Sequence, residues 1–135
     1  MESNNKNIIV LACSGASNTG AYSDKVARKL MSAGKAKMLC LARFAVDKIF
    51  AEQSKKELED LGDEGELIVI DGCPINCAEK VMKENGITKF KHINTTDFGI
   101  IKGKTPVTED KIEEIITFCT MPAPENDLKF KRRSP

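Results

Sequence analysis

The chain has 135 residues, of which 41% are hydrophobic and 30% are charged, and its formal net charge is +1. A chain of this length can bury a hydrophobic core as a single domain. The near-neutral charge argues against a nucleic-acid-binding protein, because such domains concentrate lysine and arginine on one face. The apolar run "IIVLAC" near the start is too short for a signal-peptide core or a membrane span. We therefore expect a cytoplasmic protein that binds neither nucleic acid nor membrane.

Five cysteines are present. In a reducing compartment, thiols and metal ligands are more common than disulfides. The odd number agrees with this expectation, because at least one cysteine would be left out of any disulfide pairing.

The first half of the chain alternates strand-like and helical patterns. Residues 7–12, "NIIVLA", form a continuous apolar run typical of a strand buried on both faces. A helix follows and ends at Gly34, with an apolar side made of Val26, Ala27, Leu30 and Met31. Residues 37–42, "KMLCLA", predict a second strand, and Asp47 is placed to cap the next helical turn. The apolar side of that next helix consists of Ile49, Phe50, Leu58 and Leu61.

The second half continues the same alternation. Residues 66–71 predict a third strand, a helix then ends at Gly86, and "TKFKHINTTD" predicts a shorter fourth strand. Thr108 is a good N-cap for the last helix. The buried stripe of that helix is predicted to be Ile112, Ile115, Ile116 and Cys119.

This β-α-β-α-β-α-β-α order predicts an α/β fold, because parallel strands need helical, right-handed crossovers. We expect one Rossmann-like three-layer sandwich over residues 1–121, with a four-stranded parallel sheet in the order 2-1-3-4. Residues 122–135 are rich in proline and basic residues. That composition predicts a disordered tail.

Four of the cysteines are predicted to converge at the carboxyl edge of this sheet. Cys13 ends the first strand, Cys40 lies in the second, Cys73 ends the third, and Cys77 begins the next helix. Ligands of open parallel sheets bind at this edge, where the strand order reverses. The remaining cysteine, Cys119, lies on the apolar stripe of the last helix and is predicted to be core filler.

Zn²⁺ suits such a group, because it takes four thiolates tetrahedrally. Pro74 would occupy the first helical position and Gly72 would allow a sharp turn. The positive end of the helix would favour the thiolate forms of Cys73 and Cys77. The same field would activate a catalytic thiol, so two alternatives stay open. One is a redox or sulfur-transfer enzyme that uses Cys73 with Cys77 or Cys13. The other, which we favour less, is an iron–sulfur cluster on the same thiolates.

The loop "CSGASNTG" after the first strand offers backbone N–H groups that could cradle a small anion or hold a thiol at the sheet edge. It lacks the arginine that a cysteine-dependent phosphatase uses to hold its oxyanion, since the first arginine to follow is Arg28.

Further polar residues are candidates for supporting the site by hydrogen bonds or lining its pocket, namely Asp71, Ser14, Asn76 and Asp97. The only histidine, His92, lies inside the fourth strand, which favours a structural role and argues against a histidine-based zinc catalyst.

The blocks "LACSGASNTG", "KMLCLARF", "IVIDGCPINCA" and "NTTDFGIIKG" resemble the successive blocks of the DGC-domain proteins, small prokaryotic proteins described as zinc-binding. The family is named for the motif present here as Asp71-Gly72-Cys73. The resemblance covers about residues 8–104 and implies that Cys13, Cys40, Cys73 and Cys77 chelate the metal. It implies no defined reaction. The chain departs from many members at Ala16, where they carry another cysteine, and at Arg43, where they carry glycine.

Overall fold

The computed structural model describes residues 8–13, 17–62, 65–72 and 74–120. Within these ranges four strands and five α-helices alternate along the chain, with a short 3₁₀ turn after the last strand. In chain order they are β1 (Ile8–Ala12), α1 (Asn18–Ser32), β2 (Lys37–Met38), α2 (Leu41–Val46), α3 (Lys48–Leu61), β3 (Glu66–Asp71), α4 (Cys77–Glu84), β4 (Lys91–Asn94), the 3₁₀ turn (Thr95–Phe98) and α5 (Glu109–Thr120). The predicted tail, residues 122–135, lies outside the described residues.

The strands form one parallel sheet in the order β2-β1-β3-β4, which confirms the predicted fold class and strand order. β1 and β3 are the central pair, with Val10 opposite Ile68 and Ala12 opposite Ile70. Each return to a parallel neighbour requires a crossover, and the helices supply these crossovers.

Helices cover both faces of the sheet. Val10 and Ile70 face α1 and α5, whereas Leu11 and Val69 face the side formed by α2, α3 and α4. Because successive residues of a strand point to opposite faces, a central strand covered on both sides must be apolar throughout. This explains the continuous apolar runs of β1 and β3.

Helix α1 follows most of its predicted pattern. Ser17 caps its first turn by accepting a hydrogen bond from the Gly20 N–H at 3.3 Å. Gly34 follows the helix with a φ of 74°, in agreement with its predicted role as the stop. Met31 was assigned to the buried stripe, and this is wrong, because it is 44% exposed and borders an open cavity described below.

The predicted second strand is largely wrong. Only Lys37–Met38 pair with β1, and residues 41–46 form α2 instead. The run is apolar because Leu39 is buried and Leu41 is partly buried on that face of the sheet, and this packing does not require a strand. Cys40 therefore lies between β2 and α2 and not within a strand.

Asp47 caps α3 as predicted, accepting a hydrogen bond from the Phe50 N–H at 3.0 Å. This hydrogen bond, together with the Arg43 guanidinium, holds the pKa of the Asp47 carboxyl below its usual value. Ile49 was placed on the buried side of the helix and is instead 71% exposed.

Helix α5 packs on α1, and together these two helices cover the face of the sheet that carries Val10 and Ile70. The Lys111 N–H lies 3.4 Å from Thr108 Oγ1, as expected for the predicted N-cap. Ile112, Ile115 and Cys119 are buried, and burial raises the pKa of the Cys119 thiol to about 12. Cys119 is therefore core filler, as predicted. Among the described residues, every helix is too short or too polar to cross a membrane.

Candidate functional site

Cys13 lies at the carboxyl end of β1, and both of its backbone polar groups are held. Its N–H donates to the Ile70 carbonyl at 2.9 Å, which extends the pairing of β1 with β3 by one residue. Its carbonyl accepts a hydrogen bond from the Ser23 hydroxyl of α1. The position of Cys13 is thus set by β3 on one side and α1 on the other.

An open cavity of about 470 Å³ lies beside Cys13, at the carboxyl ends of β1 and β2. Cys40 borders the same cavity, because the Leu39 N–H donates to the Val10 carbonyl at 3.0 Å and brings the chain after β2 alongside β1. The other described lining residues are mainly apolar and come from α1, α2, α4 and the strand ends, namely Ala12, Asp24, Arg28, Met31, Met38, Leu39, Leu41, Ala42, Ala45 and Val81. Two of the four predicted ligands therefore border one space.

Cys77 is the first residue of α4 and is exposed. Val81 follows it by four residues and lines the cavity. Residues four apart lie on the same side of a helix. Cys77 therefore lies one turn before Val81, on the side of α4 that faces the cavity.

The turn before α4 differs from the expectation. Pro74 is not the first helical residue, because residues 74–75 form a turn and the helix begins at Cys77. Between them, Asn76 has a left-handed backbone with a φ of 58°. Asparagine tolerates this conformation better than most residues, because its short side chain forms local hydrogen bonds.

Gly72 lies at a bend of the chain directly after β3, in agreement with the predicted turn, and it is also required for close packing. A Cβ atom at this position would lie 2.6 Å from the Thr19 carbonyl oxygen and 2.8 Å from the Gly20 nitrogen. The start of α1 can therefore touch β3 only because residue 72 has no side chain. This contact brings the first turn of α1 next to the residue that precedes Cys73. Cys73 itself and Ser14 lie outside the described residues.

Asp71 is buried and caps α4 from the neighbouring strand. Its carboxylate accepts hydrogen bonds from the Ala78 N–H at 2.7 Å and the Glu79 N–H at 3.1 Å. The first N–H groups of α4 are thus paired with a side chain from β3. Asp71 supports the helix that carries Cys77.

His92 of β4 is the partner of Asp71 that the sequence reasoning missed. His92 Nε2 lies 2.8 Å from Asp71 Oδ2, and both side chains are buried. A carboxylate can only accept, so Nε2 carries the hydrogen. The alternation of side chains along a strand could have indicated this role. His92 and Asn94 flank Ile93 in β4, so they share one face of the sheet, the face towards α4.

Asn94 makes the second link between β4 and this turn. Its Nδ2 donates to the side-chain oxygen of Asn76 at 2.8 Å. Asp97, predicted to line the pocket, lies half-buried in the 3₁₀ turn after β4 and is not among the described residues that border the cavity.

Within the described residues, no three or more histidine, cysteine, aspartate or glutamate side chains are grouped closely enough to hold a metal ion. The four-cysteine set includes Cys73, so that set stays a prediction.

Comparison with known proteins gives a family. The model of the DGC domain family matches residues 9–119, most of the chain, and the chain belongs to this family. Neither the curated proteins nor the solved structures contain a match.

Proposed function

We propose that this member of the DGC domain family is a cytoplasmic zinc-binding protein. One ion would be held by the thiolates of Cys13, Cys40, Cys73 and Cys77 at the carboxyl edge of the sheet. The observation that supports this most strongly is that Cys13 and Cys40, which follow different strands, border the same cavity. Cys77 begins α4 on the side of that cavity, and Cys73 follows directly after Gly72.

The donor set fits zinc, because Zn²⁺ binds thiolate sulfur at about 2.3 Å and accepts four such ligands. Four bound thiolates would leave no open position, which suits metal storage, metal transfer or sensing. Cys40 is exposed and follows a two-residue edge strand, so it is the ligand most easily exchanged. Its departure would open a position for a small anion or thiol, or for a zinc-assisted reaction.

The second candidate is a thiol-based redox or sulfur-transfer enzyme, favoured by the exposure of the Cys77 thiol. The Cys73 thiolate would attack a substrate disulfide and release one substrate thiol. Cys77 or Cys13 would then displace the second substrate thiol and close a disulfide within the protein.

Elemental analysis separates these candidates, on protein prepared anaerobically without a metal-affinity tag. We expect about one zinc per chain, the stoichiometry of a closed tetrahedral site, in the wild type and in Cys119→Ala. Cys119 is the matched control because its thiol is buried in the core. Cys73→Ser should lose the zinc.

Metal-free wild-type protein that forms a disulfide between Cys73 and Cys77 or Cys13 would reject the zinc site and support the redox enzyme. Brown protein that contains iron and sulfide would instead identify a cluster.

A further inference from the structure

We propose that His92 and Asn94 of β4 are positioning residues for the cysteine loop, defined as residues 74–77, which ends at Cys77. They act through Asp71 and Asn76, and the effect on metal binding rests on the zinc site proposed above. β4 contributes no predicted ligand, so its role is to fix where the ligands lie.

The first route runs from His92 through Asp71 to α4. His92 Nε2 and the Glu79 N–H both lie within hydrogen-bond distance of Asp71 Oδ2, at 2.8 Å and 3.1 Å, while the Ala78 N–H lies 2.7 Å from Oδ1. The carboxylate is therefore held by three donors from two elements, and its orientation sets where α4 begins. Cys77 is the residue at that point.

The second route runs from Asn94 to Asn76. Asn76 has a left-handed backbone and connects the turn at residues 74–75 to α4. Its side chain makes no hydrogen bond to the helix, and its oxygen accepts from Asn94 Nδ2 at 2.8 Å. Asn94 Oδ1 in turn accepts from the Thr96 N–H at 3.0 Å, which fixes the Asn94 amide itself.

β4 thus holds the loop in two ways, directly through Asn76 and indirectly through Asp71, which caps the helix that begins at Cys77. The His92 side chain is fully buried, and its Nδ1 has no hydrogen-bond partner among the described residues. Burying a polar nitrogen without a hydrogen-bond partner costs free energy, and an apolar side chain at this position would avoid that cost. The polar side chain is therefore explained by the orientation that it gives Asp71. Partners of this kind change metal affinity, because they hold ligands in the binding geometry.

Three variants and one control test the proposal. His92→Leu removes the donor to Asp71 at similar size, His92→Gln offers an amide N–H in its place, and Asn94→Ala removes the contact to Asn76. Lys91→Met is the control on the same strand, because Lys91 contacts Glu66 and the Cys119 carbonyl, away from the loop. Zinc affinity is measured by competition with a chromophoric chelator.

We expect the zinc Kd to rise about tenfold or more in His92→Leu and in Asn94→Ala. His92→Gln should recover most of this loss, and Lys91→Met should bind zinc as the wild type does. Wild-type affinity in His92→Leu, or an equal loss in Lys91→Met, would overturn the positioning role.

Amide hydrogen exchange in zinc-free protein provides a readout that does not depend on the metal. The amides of Ala78 and Glu79 should exchange faster in His92→Leu, while those of α5 are unchanged. If wild-type protein takes up no zinc, the proposed function fails and exchange alone decides the positioning role. Unchanged protection of both amides in His92→Leu would then reject it.

Discussion

Gly72→Ala tests whether the close contact between α1 and β3 organises the cysteine edge. The added methyl group would meet the Thr19 carbonyl oxygen at 2.6 Å and the Gly20 nitrogen at 2.8 Å. These are backbone atoms at the start of a helix, so rotation of a side chain cannot relieve the clash. Overpacking of this kind costs about 1–3 kcal/mol, and the start of α1 must move away from β3.

Urea unfolding followed by far-ultraviolet circular dichroism measures the effect, since the chain has no tryptophan. With a loss of about 2 kcal/mol and an m-value of about 2 kcal/mol/M, the midpoint should fall by about 1 M. The matched control is Gly86→Ala. Gly86 follows α4 with a φ of 77°, and a Cβ added there would meet nothing within 4 Å, so alanine strains the backbone without moving a neighbour.

Both variants should therefore be less stable than the wild type, but only Gly72→Ala should weaken zinc binding. The reason is that only this substitution moves the start of α1 away from the residue that precedes Cys73. A urea midpoint in Gly72→Ala equal to that of the wild type would refute the clash between residue 72 and the start of α1. Equal zinc affinity in the two variants would refute the link between this contact and the site.

Three further predictions concern stability. Asp71→Ala should lower the free energy of unfolding by about 3 kcal/mol, because it leaves the buried donors to Asp71 unpaired. Asp71→Asn keeps one acceptor and should lower the free energy of unfolding by less, and urea unfolding of both variants measures the difference. Burial raises the pKa of Cys119 to about 12 in the folded state, so its contribution to stability is fully present below pH 9 and is lost as pH rises towards 12. Cys119→Ala should lack this part of the decrease in unfolding free energy between pH 9 and pH 12. An equal decrease in Cys119→Ala would contradict the raised pKa of Cys119. Tyr22→Phe should lower the free energy of unfolding by about 1–2 kcal/mol, because the Tyr22 hydroxyl donates to the Pro106 carbonyl and accepts from the Thr108 N–H. Thermal unfolding measures this loss. Wild-type stability in Tyr22→Phe would show that water replaces these hydrogen bonds.

The order and direction of the strands could be predicted because local patterns carry them. β1 and β3 are covered on both faces, so their residues are apolar without alternation, and parallel strands joined by helices leave few topologies. The same patterns predicted that Cys13, Cys40, Cys73 and Cys77 lie at the carboxyl edge, and Cys13 and Cys40 border one cavity there. The strand predicted over residues 39–42 was wrong, because an apolar run is equally compatible with an edge strand and with a connection that packs into the core before a short helix.

The support beneath the cysteine loop depended on contacts between residues distant in sequence. His92 reads as a lone histidine in a strand, and only the pairing of β4 with β3 places it beside Asp71. Gly72 reads as a turn residue, and only the packing of α1 reveals that a side chain would collide with the Thr19 backbone. Hydrophobic periodicity records which face of an element is buried, so it specifies strands, helices and their order. It does not record which polar atoms meet across that buried face, and this was decided by the packing of β4 and α1 around the end of β3.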